Sequence, residues 1–386
     1  MLARRYNALI YIGQGCFLAY YVIAFQRAGL PLVLISIANS AFDITSVVCE
    51  LPTSVLFDKW SAKKIMVLGA ASRFAGFMLF LFDSSNFWIV LLGELLTGLG
   101  SSTETGAASA LYVEEREEKE RGSGAESRVE RKFAELGETV GLSVILGGVI
   151  GAILYRIAPS LIWVGAGVAY LLAMLTLLRM KEHRRRRMAN VSLQSLATDL
   201  LRSVFRSVRI PECWLLVSLD VGAMSMAMLW PLLLGGDHDT MWLQLVGLVA
   251  MNGASALAGR LGMIIDSTPG RCALYVGVDI VALCFTALVG NDVALLGAFF
   301  IHVCAHAMIH NVFCGKLYRV IRPDERASVM SVVSLLSTLA IAVLQPIVGW
   351  FGQTHLSLAA LCTAPVLLAS LVYLGVGRHH SRETSA

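Results

Sequence analysis

The chain has 386 residues, of which 56% are hydrophobic and 15% charged, and its formal net charge is +4. Soluble chains carry about a quarter of their residues as Asp, Glu, Lys and Arg, so the composition excludes an ordinary soluble domain and points to lipid as the solvent. The basic excess falls in short loops, which removes any need for a nucleic-acid partner.

A bilayer-spanning helix needs about 20 mostly apolar residues. Twelve such segments are predicted, at 6–27, 32–57, 64–83, 87–112, 133–156, 160–179, 212–235, 241–265, 272–290, 293–315, 327–350 and 356–377. Residues 1–5 are too short for a cleavable signal, so the first span is expected to remain as an anchor. Lys and Arg gather in alternate turns, which read "RR", "DKWSAKK", "EEREEKERGSGAESRVERK", "RMKEHRRRR", "PGR", "KLYRVIRPDER" and "GRHHSR". On the opposite side only Arg27 and Arg156 occur. The positive-inside bias then places both termini in the cytoplasm of a cell whose inner membrane the chain crosses. The eight cysteines lie in spans or at their cytoplasmic ends and are expected to be reduced.

In span one Asn7, Tyr11, Gln14 and Tyr21 form one polar face, expected to line a cavity. Span two carries a polar stripe of Asn39, Asp43, Ser46, Glu50 and Ser54. Spans two and three turn between Ser61 and Ala62, which levels Glu50 with Arg73 and predicts an intramembrane ion pair. Glu94 and Glu104 occupy the outer and inner halves of span four, and Glu104 is an alternative partner for Arg73. Span five is rich in glycine (Gly141, Gly147, Gly148, Gly151), a composition that allows close helix approach.

Residues 180–211 form a polar linker between a first half at 1–179 and a second half at 212–386. It opens with Arg184, Arg185, Arg186 and Arg187, suited to an anionic leaflet. Leu193, Leu196, Leu200, Val204 and Val208 then recur at helical spacing, predicting an amphipathic surface helix that acts as a tether. Asp220 lies in the inner half of span seven and Asn252 near the middle of span eight. Spans eight and nine turn between Pro269 and Gly270, which levels Arg260 with Asp279 as a second predicted pair. Span ten reads "IHVCAHAMIHN", placing His302, His306 and His310 one turn apart on one face. They suit a wet path or a proton relay. Shared binding of a transition metal is the alternative, although no Cys/His/Asp cluster elsewhere completes such a site.

The two halves repeat. "FDKWSAKKIMVLG" follows span two and "IDSTPGRCALYVG" follows span eight, with Asp58, Lys63 and Gly69 matching Asp266, Arg271 and Gly277 at an offset of 208. With twelve spans in a 6+6 order and Asp58, Lys59, Lys63 and Lys64 at this turn, the chain resembles the major facilitator superfamily. Ser54, Ser61 and Ala62 stand where the superfamily has two glycines and an arginine. "ELPT" and "RPDERASVMS" resemble bacterial drug-efflux branches.

The resemblance implies an all-α membrane protein of two pseudo-symmetric six-helix bundles, in which spans one, four, seven and ten line a central cavity. It further implies a cytoplasmic latch (Asp58, Lys59, Lys63, Lys64, Asp266, Arg271) that favours the outward-open state. Ionised groups inside a membrane are costly and face partners or wet cavities. Glu94 and Asp220 are therefore the leading candidates for proton coupling, with Asp43, Glu104 and the three histidines behind them, and Tyr11, Gln14 and Asn252 as cavity lining. The expected function is proton-coupled export of a small neutral or cationic organic compound by alternating access. No nucleotide-binding loop, cofactor or enzymatic triad is visible, and a monomer in the lipid bilayer is expected. Proton-coupled uptake of a nutrient or metal complex, and a transport-inactive sensor, are the alternatives.

Overall fold

The computed structural model describes residues 2–59, 62–104, 107–121, 129–180, 193–235, 241–262, 268–322 and 325–371. Among these residues the regular structure is helical. Among the described residues nine helices are long and apolar enough to cross a membrane, and the bent pair α1 (Leu2–Leu18) and α2 (Tyr21–Arg27) makes a tenth. The other two predicted spans correspond to α5 (Phe87–Glu104) and to residues 356–371. Two glutamates and a run of small polar residues dilute the hydropathy of α5. The segment 356–371 starts as α15 (Leu356–Leu361) and breaks at a turn just before Pro365, whose ring cannot continue the ladder.

The chain divides into two compact units, residues 1–196 and 197–386. Unit 1 holds α1, α2, α3 (Leu32–Lys59), α4 (Ala62–Phe82), α5, α6 (Ala107–Arg121), α7 (Val129–Ile157) and α8 (Leu161–Arg179). Unit 2 holds α10 (Pro211–Leu233), α11 (Met241–Gly262), α12 (Pro269–Leu288), α13 (Asp292–Val320), α14 (Arg326–Gly352) and α15. The boundary cuts the amphipathic α9 (Leu193–Ser207), whose C-terminal half leans on the start of α14. Arg206 there pairs with Glu325, and Ser203 Oγ lies 2.6 Å from Ser328 Oγ. Leu201 and Phe205 of α9 remain exposed, as suits a helix lying against lipid.

One packing rule holds in both units. In unit 1, α5 lies between α3 and α4, which scarcely touch each other. In unit 2, α13 packs on both α11 and α12 in the same way. The fourth span of each half therefore separates the second from the third, and this decides which buried charges meet.

Glycine lets backbones approach where lipid supplies no hydrophobic drive. A Cβ on Gly147 of α7 would lie 2.1 Å from the Ile12 carbonyl of α1, and one on Gly15 would lie 2.2 Å from the Val144 carbonyl. These obstacles are main chain, so the helices themselves must part. Gly147→Val is expected to cost unit 1 about 1–3 kcal/mol, the usual scale of overpacking. Thermal unfolding of the purified variant checks it. At the end of α2, Gly29 has φ +101 and closes a Schellman turn. Its N–H donates to Gln26 O, and the Leu30 N–H donates to Phe25 O.

Polar pairs supply the glue in unit 2. Ser225 Oγ lies 2.7 Å from Thr363 Oγ1 and donates to Ala360 O, while Thr363 donates to Gly222 O at 2.9 Å. All eight cysteines are free.

On the N-terminal side of unit 1, the α1 start is capped from α6. The Glu115 carboxylate accepts from the N–H groups of Leu2 and Ala3, each at 2.7 Å, taking two donors that helix geometry leaves without partners. Partial burial pushes the Glu115 carboxyl up, but the hydrogen bonds it accepts outweigh this and hold it below the usual carboxylate range. A lowered folded value means stabilisation that is present above the unfolded value of about 4.3 and is lost as pH falls through the folded one. Glu115→Gln is expected to lower thermal stability at neutral pH and to flatten the acid-side loss seen in the parent. Unfolding curves recorded across acid pH would measure it.

Candidate functional site

The buried charges of unit 1 meet on α4 and α5. Arg73 Nε lies 3.3 Å from Glu104 Oε2, with both side chains almost fully covered. The guanidinium also stands over the rings of Tyr170 and Phe42, at 5.3 and 5.8 Å. Tyr6 and Tyr11 of α1 lie within electrostatic reach of the same pair. The expected Glu50–Arg73 pair is thus corrected: Glu50 is exposed. α5 stands between their helices, and it is α5 that supplies the acid.

A second polar group lies where α2, α3 and α5 meet. Glu94 is buried and accepts from Thr97 Oγ1 at 3.1 Å. Asp43 and Arg73 are its charged neighbours. Tyr21 sits beside both carboxylates, and its hydroxyl accepts from Asn39 Nδ2 at 3.1 Å. Tyr11 and Gln14 are half-buried. Asn7, expected on the same polar face, is instead buried and bonded to the carbonyls of Ala3 and Ala108.

In unit 2 the expected Arg260–Asp279 pair is likewise corrected. Arg260 is exposed, while Asp279 is wholly buried on α12 and faces two histidines of α13. His302 Nδ1 lies 2.6 Å from Asp279 Oδ1, and His306 Nδ1 lies 3.5 Å from Oδ2. One turn further on, His310 Nε2 lies 3.7 Å from Asp220 Oδ1 of α10. Ser337 of α14 donates to Asp220 Oδ2 at 2.6 Å, and His310 Nδ1 lies 3.7 Å from Cys314 Sγ. The histidine face therefore bridges two acids on two other helices. Ser337 and Thr97 carry no signal in the sequence, because lone hydroxyls in apolar runs have no periodicity. Asn252 bonds its side chain to Leu248 O within its own helix. Among the described residues no group of three or more His, Cys, Asp or Glu is arranged to hold a metal.

Of the expected latch, Lys63 is tied within unit 1, where its ammonium donates to Leu178 O at 2.8 Å and Met180 O at 2.7 Å. It caps the C-terminus of α8, where free carbonyls and the helix dipole favour a cation. Lys64 and Arg271 are exposed. The side chains of Asp58 and Lys59, together with Asp266 and the Arg184–Arg187 run, lie outside the described residues.

Two all-helical units, each with ionisable groups buried inside apolar helices, define a multi-pass membrane protein. The family model of the Major Facilitator Superfamily matches residues 7–343. The chain belongs to that superfamily, whose members are transporters rather than enzymes. Among solved structures, the nucleoside transporter NupG superposes with a TM-score of 0.74 at 16% identity, covering 97% of this chain and 98% of that one. The human organic anion transporter MFSD10 (TETRAN) gives 0.62 at 13% identity, covering 96% and 99%. At such identities the likeness concerns the fold. No curated protein matches the chain in sequence.

Proposed function

We propose that this transporter works by alternating access and is driven by protons, with Glu94 and Asp220 as the coupling acids. The observation that carries the reading is Asp220, held between the His310 imidazole and the Ser337 hydroxyl inside a membrane helix. A carboxylate beside an imidazole can change its charge balance with the proton supply. Asp43 and Glu104 are secondary candidates, and Tyr11, Gln14 and Asn252 are assigned to the substrate path. Both termini are placed in the cytoplasm of a monomer, with Asp58, Lys59, Lys63, Lys64, Asp266 and Arg271 at the cytoplasmic latch.

The substrate class we favour is a small neutral or cationic organic compound, moved outward. Among the residues assigned to the substrate path none is Lys or Arg, and strong anions require fixed positive charge. A second reading is proton-coupled uptake of a polar neutral solute. It is favoured by the fold likeness to NupG, which is described as a nucleoside transporter.

A compound panel that includes nucleosides and cationic dyes tests both readings, in cells carrying the parent, Glu94→Gln or Asp220→Asn. Export predicts lower cell content of at least one compound with the parent, and uptake predicts higher content. Loss of either phenotype in both variants supports the coupling assignment, whereas full retention in both removes it.

A further inference from the structure

Both units bury an acid–base contact between their third and fourth spans, but the bases differ in kind. In unit 1 the base is Arg73, and a guanidinium stays charged at every physiological pH. In unit 2 the polarity is reversed: the acid, Asp279, sits on the third span and its partners are imidazoles. An imidazole gains or loses its proton near neutrality. The base of the first pair is therefore fixed in charge, and that of the second is not.

We infer that Asp279, His302 and His306 form a proton-binding centre in unit 2, joined through His306 and His310 to Asp220. This deepens the transport reading, and its place in coupling rests on that reading. Three observations support it. A carboxylate only accepts, so His302 donates from Nδ1 to Asp279 and leaves Nε2 as the nitrogen that takes up or releases the proton. His306 Nδ1 and Asp279 Oδ2, buried and without hydrogen bonds among the described residues, stand only 3.5 Å apart. Exposure also rises along the three histidines. The side chains of Asp279 and His302 are 0% and 4% exposed, His306 is 21%, and His310 and Asp220 are 37% and 27%. A proton taken up at the open end reaches the closed end through one imidazole, and the single positive charge then balances the ionised Asp279.

Few other charges act on this path. His302 and His306 are the titratable groups acting on Asp279, and Asp220 and His306 those acting on His310. From α11 the only charged residue is Arg260, which is exposed, and α15 contributes none. On α12 itself Arg271 is exposed, and Tyr275 is the nearest phenol in sequence. Cys304 and Cys314 are the thiols on α13.

The test uses the purified full chain in lipid nanodiscs, with heavy water as the probe. Exchange of the imidazole carbon-bound hydrogen, read by mass spectrometry from roughly pH 5 to 9, follows the protonation of each histidine. Asp279→Asn is expected to displace the exchange midpoints of His302 and His306 by about 1 in pH or more, the scale of one contacting charge. It should leave the exposed His355 unchanged, and Asp279→Glu should restore the parent midpoints. If Asp279→Asn does not fold, His302→Gln read at His306 makes the same comparison. Flat rates at both histidines, or midpoints that ignore both substitutions, would overturn the assignment. No substrate enters the measurement, so its failure and a failed compound screen are separate results.

Discussion

Glu104→Ala destabilises unit 1 by about 3–5 kcal/mol, the usual consequence of stranding one member of a buried ion pair. Arg73 would remain sealed between α4, α5 and α8, over the rings of Tyr170 and Phe42, with its counter-ion gone. Glu50→Ala, by contrast, is close to neutral because that side chain is exposed. The double variant Arg73→Met, Glu104→Leu recovers much of the loss, since apolar replacements remove the uncompensated charge. Thermal unfolding of the four proteins in detergent gives the comparison. Equal losses for Glu50→Ala and Glu104→Ala would return Arg73 to the partner read from depth alone.

Asp220→Asn carries the second large effect, on transport. Asparagine keeps the shape and can still accept from Ser337, but it leaves His310 facing a neutral group. Gradient-driven transport is expected to fall about tenfold or more, equivalent to about 1.4 kcal/mol in the barrier. Thermal stability should change little, because Asp220 is only partly buried and keeps its hydroxyl donor. Ser337→Ala retains the charge and is expected to have a smaller effect. Initial rates in proteoliposomes, measured beside unfolding curves, separate loss of function from loss of fold.

Much of the fold was legible because lipid imposes a strong rule: long apolar runs must be helices. The bend between α1 and α2 was not, since no proline or glycine marks Ala19 and Tyr20. The acids and histidines of the candidate site could be named for the same reason, as ionisable residues stand out in an apolar run. Their partners could not. Counting from a turn gives depth along the membrane normal, and it levelled Glu50 with Arg73 and Arg260 with Asp279. Neighbourhood in the membrane plane depends on helix order, and in both units the fourth span intervenes between the second and third. Glu104 and His302 hold the positions that the depth arithmetic gave to Glu50 and Arg260. The role of Lys63 on α8 was hidden likewise, because its acceptors are main-chain carbonyls more than a hundred residues away.

The charge contrast between units also orders the effects of pH. Substitution of His302, His306 and His310 together should alter the pH dependence of transport more than substitution of Arg73, whose guanidinium keeps its charge. A pH response that survives substitution of all three histidines would have to arise outside this face.

The central claim is that protons drive the transport. The most direct measurement reconstitutes the purified chain in liposomes loaded with a pH-sensitive dye and imposes a gradient of the compound found in the screen, with no initial pH difference. The account predicts that the compound's flux drives a proton flux, that a protonophore erases the resulting pH change, and that Asp220→Asn abolishes it. Compound movement at full rate with no proton movement in the parent would contradict it.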